Sequence, residues 1–391
     1  MDSKEFFIPR LGEAQIASPV QAMEFVPDDA TVAYDTSTAV LEEYVKNGQA
    51  IPAFEQAGPR KLIYHDPAWS KAAILTAGGL CPGLNDVIKF LTLTLKNIYH
   101  VPLVYGIRYG YRGLNPAHGL APIQLNEDNT DDIHQQGGTI LDIAVEAERR
   151  GLSISVISIP KTIDNDIAFI DKSFGFETAV YMAGIFAAGA HNEAKGAYNG
   201  IGLVKVMGRD SGFIAAYATL AQSYVNYCLV PESKFVLDGD GPDALLPHLY
   251  KRMLEKQHAV IMVAEGAGQE LFPQGEDVRD ASGNLINKDI GLLLKDRINQ
   301  YFKERDTEVN IKYFDLAYTI RSVAAHGADA VFCAMLAQNA VHAAMAGRTD
   351  MVVGHWNGHF THVPIALATR ERKKIQLNSP LWTSVKASTC F

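Results

Sequence analysis

The chain is poor in the features that define several protein classes. Its four cysteines, Cys81, Cys228, Cys333 and Cys390, are scattered over 391 residues and form no C-x-x-C pair. That spacing excludes a disulfide framework and a zinc site, and fits reduced thiols in a cytoplasmic protein. No apolar run approaches the ~20 residues needed to span a bilayer. The opening residues, Met1-Asp2-Ser3-Lys4-Glu5, carry acid early and lead into no apolar segment, so no secretory signal is expected. Positive charge is not in surplus: the net charge is −9, which removes bulk attraction to nucleic acid or anionic membranes. Any anion site must therefore be built locally. Repeats and low-complexity tracts are absent. No G-x-G-x-x-G follows the first strand pattern, which weakens a dehydrogenase reading.

What remains is a chain that is 48% hydrophobic and long enough for two domains with a sizeable core. Residues 1–70 hold Pro9, Pro19, Pro27, Pro52, Pro59 and Pro67 with short apolar stretches, and read as an extension packed on the core. From Lys71 the pattern changes. Ala72–Thr76 reads as a strand, Ala77–Asp86 as a glycine-rich turn, and Val87, Ile88, Leu91 and Leu95 recur at helical spacing. That sequence of elements opens an α/β phosphate- or nucleotide-binding unit. Strand patterns recur at 102–107, 154–159, 202–207 and 258–264, with helical patterns at 140–150 and 212–222 and a hairpin turning on Asn357-Gly358. The alternation predicts an α/β fold with mostly parallel sheets and helices on both faces.

One loop stands out. The apolar run Ile154–Ile159 predicts a buried strand, and Pro160-Lys161-Thr162-Ile163-Asp164-Asn165-Asp166 follows it. A cation, a hydroxyl and two carboxylates in one loop are the groups phosphoryl transfer to a hydroxyl requires: a base, charge for phosphoryl oxygens and a place for Mg²⁺. Helix capping would use the aspartates but leaves Lys161 and Thr162 without a role. Gly78-Gly79 alone fits a tight strand–helix turn almost as well as a phosphate cradle. Met207-Gly208-Arg209 sits between a strand and a helix, where Arg209 either faces solvent or reaches a transferring phosphoryl group. Glu265 closes the 258–264 strand, as a sugar-hydroxyl acceptor or a surface carboxylate. Lys312, Tyr318 and Arg321 form a sparse basic group able to hold a phosphate. His355, His359 and His362 share no clear face for a metal.

In combination these motifs resemble one family. Gly78-Gly79-x-x-Pro82-Gly83-x-Asn85, then Pro160–Asp166, then Met207-Gly208-Arg209, in that order, are similar to the 6-phosphofructokinases. The likeness runs from about residue 55 onward. The Lys161 variant of the loop, with Gly202-Leu203-Val204-Lys205 and Tyr217-Ala218-Thr219-Leu220, looks like the plant and trypanosomal ATP-dependent group, which is close to pyrophosphate-dependent members. The resemblance implies two Rossmann-like three-layer domains with the active site in their cleft: a donor domain over 71–176 and 320–366, and a sugar-phosphate domain over 177–319 and 367–391. It implies Mg²⁺-dependent phosphorylation of fructose 6-phosphate in glycolysis, with ATP as the expected donor and pyrophosphate as the alternative. Asp164 would be the base, Thr162 would position the phosphoryl group, Arg209 and Lys161 would complete the catalytic set, and Asp166 would lie near Mg²⁺. Met207, Gly208 and Glu265 would line the sugar. Lys312, Tyr318 and Arg321 would hold its 6-phosphate, and Gly79 and Tyr111 would meet the donor. Self-association as a homodimer or homotetramer is implied as well. Some members carry a basic residue seven positions before the Met of Met-Gly-Arg, where this chain has Gly200.

The departure from the pattern is a gap. Gly137-Gly138-Thr139-Ile140-Leu141 runs straight into Asp142-Ile143-Ala144-Val145, where the family inserts a Ser-x-Arg loop, a helix, a strand and a Gly-Gly-Asp-Gly loop. About one βα unit, on the order of 30 residues or more, is missing between 141 and 142. The lost Asp would bind Mg²⁺, and its neighbour separates ATP users from pyrophosphate users. A chain truly without the unit could still serve as a sugar-phosphate-binding regulatory subunit. Losing a central parallel strand strands backbone hydrogen-bonding groups, so the natural protein is expected to carry the unit. Intact-mass measurement tests this. A species several kDa above 42.7 kDa is expected, and one at 42.7 kDa would show that the folded protein dispenses with the unit.

Overall fold

A computed structural model of the chain describes residues 1–21, 24–141, 154–273 and 287–390. The strands in chain order are β1 (Ile16–Ala17), β2 (Thr31–Ala33), β3 (Ala53–Gln56), β4 (Leu62–Ile63), β5 (Lys71–Ile74), β6 (Leu103–Gly106), β7 (Ile123–Gln124), β8 (Ile157–Ser158), β9 (Gly200–Val206), β10 (Tyr227–Leu229), β11 (His258–Ala264), β12 (Asn310–Asp315), β13 (Met351–Trp356) and β14 (His359–Pro364). The longer helices are α1 (Thr38–Lys46), α2 (Leu84–Leu93), α3 (Phe176–Gly196), α4 (Phe213–Ala221), α5 (Leu245–Lys256), α6 (Ile290–Lys303), α7 (Gly327–Met345) and α8 (Pro380–Ser388). They divide into two units. The first comprises Met1–Thr162, Ile167–Gly175 and Ser322–Glu371; the second comprises Ile163–Asp166, Phe176–Arg321 and Arg372–Phe391.

The second unit is a three-layer α/β sandwich. Its sheet, in the order β10-β11-β9-β12, is parallel throughout. Every residue of β9 is buried, as expected for a strand covered on both faces. Ile201 and Leu203 point into a core with Leu245, Leu249, Ile290, Leu294 and Phe302 of α5 and α6. The opposite face receives α3, whose Ala179, Ala183, Ala187, Ala190 and Ala194 are all buried. Small residues allow that approach: a Cβ at Gly202 would lie 2.8 Å from the Ala190 carbonyl oxygen.

The first unit carries a mixed five-stranded sheet, β2-β3-β14-β13-β8, and a three-stranded sheet, β5-β6-β7. The hairpin predicted at Asn357-Gly358 joins β13 to β14, with both turn residues at positive φ, 49° and 82°. Residues 1–70 supply β2 and β3 to the five-stranded sheet and Phe6, Tyr34 and Phe54 to an aromatic cluster with Phe169 and Trp356. The buried strand expected over 154–159 is corrected. Pairing is confined to Ile157–Ser158, and Ile154 and Val156 are 54% and 45% exposed. Burial of a strand needs a neighbour on each edge, and among the described residues β8 pairs only with β13. The helical pattern over 140–150 lies largely outside the described residues.

The extension is anchored by charge. Arg60 and Arg348, 2% and 1% exposed, share Glu55 and Asp28: Arg348 donates through Nε to Glu55 (2.8 Å) and through Nη2 to Asp28 (2.5 Å), and Arg60 lies 3.2 Å from Glu55 and 3.3 Å from Asp28. His362 Nδ1 lies 3.0 Å from the same Glu55 oxygen, which gives this histidine a structural role. Burial works to raise the Glu55 carboxyl, but His362 and Arg348 outweigh it and hold the group well below the usual carboxylate range. Breaking such a set leaves an uncompensated buried cation, at a cost of about 3–5 kcal/mol. Glu55→Gln is therefore expected to lower Tm by roughly 10 °C, at a few °C per kcal/mol. A shift within 2 °C in a thermal melt would show that the network does not bear on stability.

Candidate active site

The loop 160–166 passes from the first unit to the second after Thr162. On the first-unit side, Lys161 turns toward the glycine-rich loop that follows β5, and its Nζ donates to the Gly79 carbonyl at 2.5 Å. Gly78 has φ +80°, and a Cβ there would lie 2.9 Å from Lys161 Nζ. Glycine is thus required both for the conformation and for the approach. The Thr162 carbonyl accepts from Ser173 Oγ at 2.6 Å, which pins the loop. Tyr111 lies half-buried in the turn Gly110–Leu114 after β6. Lys161 and Gly79 are thus in contact, and Tyr111 occupies a separate turn.

The second unit holds the carboxylates. Asp164 and Asp166 flank Asn165, which takes the left-handed conformation (φ 55°) that Asn tolerates. Asp164 is half-buried, and the loops at the C-terminal ends of β9 and β11 carry Arg209 and Glu265, which act on it. Those loops are laced together: Glu265 N–H donates to the Val206 carbonyl (2.9 Å) and Gly266 N–H to the Gly208 carbonyl (3.0 Å). A Cβ on Gly266 would sit 1.9 Å from the Arg209 carbonyl oxygen. Ser211 Oγ donates to the Asp164 carbonyl at 3.3 Å.

Electrostatics give these carboxylates different characters. Burial pushes the Asp164 carboxyl up to about 7, and the charges of Asp166 and Glu265 add to the rise; Arg321 and the Arg209 backbone N–H oppose it. Glu265 is likewise raised by burial against the pull of Arg321, Arg209 and Lys205. Asp166 is 4% exposed and accepts from Arg372 Nη1 at 3.0 Å, while its carbonyl accepts from Lys373 N–H at 2.8 Å. A carboxyl that titrates near neutrality beside fixed cations is suited to take up a proton.

Of the three residues expected to hold a sugar phosphate, Arg321 acts on Asp164 and Glu265 through its charge. Tyr318, on the same short helix Ala317–Arg321, is 85% exposed. Lys312 stands half-buried within β12. Met207 is buried, and Gly208 (φ +128°) turns the chain at the end of β9.

Three residues escaped the sequence reading as site members. Lys205 is the one charge in the buried run of β9; its Nζ bridges Asp289 and Asp315 at 2.9 Å each, and a lysine in an apolar strand was a readable signal. Glu232 accepts from Gly212 N–H through both oxygens (3.1 and 3.0 Å) and from Ile375 N–H (2.9 Å). Arg372 lies in a basic run, Arg370-Glu371-Arg372-Lys373-Lys374, with no periodicity to mark it.

The protein-family model described as phosphofructokinase matches residues 71–150 and 143–344. The ATP-dependent 6-phosphofructokinase of Borreliella burgdorferi is 47% identical over 378 residues, covering 86% of this chain and 84% of that protein. The enzyme of the same name from Amycolatopsis methanolica is 40% identical over 432 residues (97% and 93%). ATP-dependent 6-phosphofructokinase 2 of Arabidopsis thaliana is 37% identical over 416 residues (95% and 91%). Among solved structures, the pyrophosphate-dependent phosphofructokinase of Marinobacter aquaeolei superposes with a TM-score of 0.61 at 18% identity, covering 80% of this chain and 88% of that one; this likeness speaks to the fold.

The state of Asp164 is testable through stability. Its carboxyl is raised from 3.8 to about 7, so the folded protein holds this proton more tightly than the unfolded chain. That contribution is complete below about pH 4 and is lost as pH rises through 7. Above pH 7 the native chain carries a buried charge that Asp164→Asn removes. The variant is expected to melt several °C higher than the native chain at pH 8, with the difference closing by pH 5. Equal melting points at pH 8 would contradict the raised carboxyl.

Proposed function

The chain belongs to the phosphofructokinase family, and we propose that Asp164 is the base of its reaction. The protein is a phosphotransferase that phosphorylates fructose 6-phosphate with ATP, a step of glycolysis, as do relatives 40–47% identical to it. The observation that supports the assignment of the base is that Asp164, half-buried with its Oδ1 shut off from solvent, feels the charges of Asp166 and Glu265 and has its carboxyl raised to about 7. At neutral pH such a group is ionised in a large fraction of molecules and still basic enough to accept a proton.

In this reading Asp164 takes the proton of the sugar 1-hydroxyl as that oxygen attacks the γ-phosphorus. A new P–O bond forms, the bond to the β-phosphate oxygen breaks, and ADP leaves. Arg209 and Thr162 meet the transferring phosphoryl group, where a planar cation and a hydroxyl stabilise and orient it. Lys161 stays with the Gly78-Gly79 loop and Tyr111 on the donor side. Met207, Gly208 and Glu265 face the sugar, and Lys312, Tyr318 and Arg321 take its 6-phosphate.

Among the described residues no three His, Cys, Asp or Glu side chains gather for a metal. In this reading Asp166 would hold Mg²⁺ jointly with the oxygens of ATP, as this ion prefers. The ion would neutralise phosphate charge. No described helix is long and apolar enough to cross a membrane. We place the protein in the cytoplasm, as a homodimer or homotetramer.

Turnover is expected to rise with pH along a limb of apparent pKa about 7. Asp164→Asn is expected to lower kcat by roughly 10²–10⁴-fold with little change in fructose 6-phosphate affinity. A coupled ATP assay combined with equilibrium sugar-phosphate binding reads both, and near-normal turnover in the variant would remove Asp164 from the role.

A further inference from the structure

Lys205 stands where an apolar residue would fit. It lies near the end of the buried strand β9, on the face that Ile201 and Leu203 present to α5 and α6. In register beside it on β12 is Asp315. Its Nζ meets two carboxylates at 2.9 Å each, Asp315 and Asp289. Burial works to lower the ammonium, but hydrogen bonds with Asp289, Asp315 and Tyr313 outweigh it and hold the group above the ordinary lysine range. Lys205 is therefore charged. A buried ion pair of this kind adds little stability over a well-packed apolar side chain of similar volume. Its value lies in what the two acids do.

Both acids start helices. Asp289 is the N-cap of α6: its Oδ1 accepts from Leu292 N–H at 3.2 Å and from the Tyr313 hydroxyl at 3.1 Å. Asp315 Oδ1 accepts at 3.2 Å from the N–H of Ala317, the first residue of the helix Ala317–Arg321. In each case the other oxygen, Oδ2, is the one that meets Lys205. The backbone repeats the tie, since Leu316 N–H donates to the Lys205 carbonyl at 3.1 Å. A helix of five residues has little stability of its own. This one begins at two anchors on Lys205 and ends, about one turn later, in Arg321.

We infer that Lys205 is a positioning residue for the proposed reaction: by clamping Asp315 it fixes the short helix that carries Arg321, and so sets where the Arg321 guanidinium meets the 6-phosphate of the sugar. This rests on the role given to Arg321 above. The charge of Arg321 also acts on Asp164 and Glu265, so its placement bears on both the phosphate and the base. Asp289, the other half of the bridge, serves α6 and not the Arg321 helix, which makes it an internal control.

The test measures equilibrium binding of fructose 6-phosphate to the full chain carrying Lys205→Met, Asp315→Ala, Asp289→Ala or Arg321→Gln, and to the Lys205→Met/Arg321→Gln pair. Lys205→Met and Asp315→Ala are each expected to weaken binding roughly tenfold, the scale of one charge-assisted hydrogen bond. Asp315→Ala is decisive because two explanations differ in sign, and it carries the test alone if Lys205→Met fails to fold. Charge acting through space would tighten binding of an anionic sugar phosphate once an acid is removed, whereas a lost clamp loosens it. Asp289→Ala is expected to lower Tm and leave the affinity in place. In the Arg321→Gln background Lys205→Met is expected to add little, because residues that act through one another are not additive. Native or tighter binding in Asp315→Ala, equal weakening in Asp289→Ala, or full additivity in the pair would overturn the clamp. Amide hydrogen exchange over Ala317–Arg321 reads the clamp without the sugar, and is expected to be faster in Lys205→Met and Asp315→Ala than in Asp289→Ala. If Arg321→Gln binds fructose 6-phosphate as tightly as the native chain, Arg321 loses the phosphate role and the exchange alone decides: faster exchange keeps the clamp, and unchanged exchange overturns it.

Discussion

A carboxylate that must work as a base near neutrality has to be taken out of water, and everything around Asp164 follows from that requirement. Removing water raises its proton affinity, and neighbouring carboxylates raise it further. Left alone, those terms would keep the group protonated and useless as a base. Arg321 and the Arg209 backbone N–H pull the other way, so that the carboxyl titrates near 7. Such a balance survives only if the opposing groups cannot relax. The structure meets this with backbone: the loops after β9 and β11 are hydrogen-bonded to each other, and at Gly266 the Arg209 carbonyl leaves no room for a side chain. Behind them the parallel strands β9, buried throughout, and β11, buried after His258, give the loops a rigid base.

The first unit solves a different problem with similar means. Its proline-rich beginning has little apolar surface of its own, and so it is joined to the sheet by β2 and β3 and by buried charge. Two arginines in the interior are tolerable because Glu55 and Asp28 answer both, and because His362 adds a further hydrogen bond to Glu55. The neutral form of His362 is favoured by its burial, against the pull of Glu55 toward the charged form. The set therefore stays close to charge balance rather than accumulating a third buried cation.

Local chemistry was legible in the sequence, and long-range pairing was not. β9 and β11 could be read because an apolar run bounded by glycines has few other uses. The hairpin could be read because Asn-Gly favours a left-handed turn. The Pro160–Asp166 loop stood out because no packing role needs Lys, Thr and two Asp together. By contrast, Glu55 is one acid among many until the fold brings Arg60, Arg348 and His362 to it. Arg372 reaches Asp166 across some two hundred residues of chain, a distance no local pattern encodes. Glu232 caps the backbone of Gly212, a task that any carboxylate at that point in space could perform.

The strand misread at 154–159 is the more instructive case. Its side chains are those of an interior strand, with Ile154, Val156 and Ile157 in a short polar-interleaved run. The expectation of burial failed because the surroundings, not the residues, differ from what such a run implies. Exposing Ile154 and Val156 forgoes stabilisation of about 25 cal/mol for every Å² that could have been buried. The residues of this run thus carry the signal of an interior strand, and their exposure shows that burial is decided by the surrounding fold and not by the run itself.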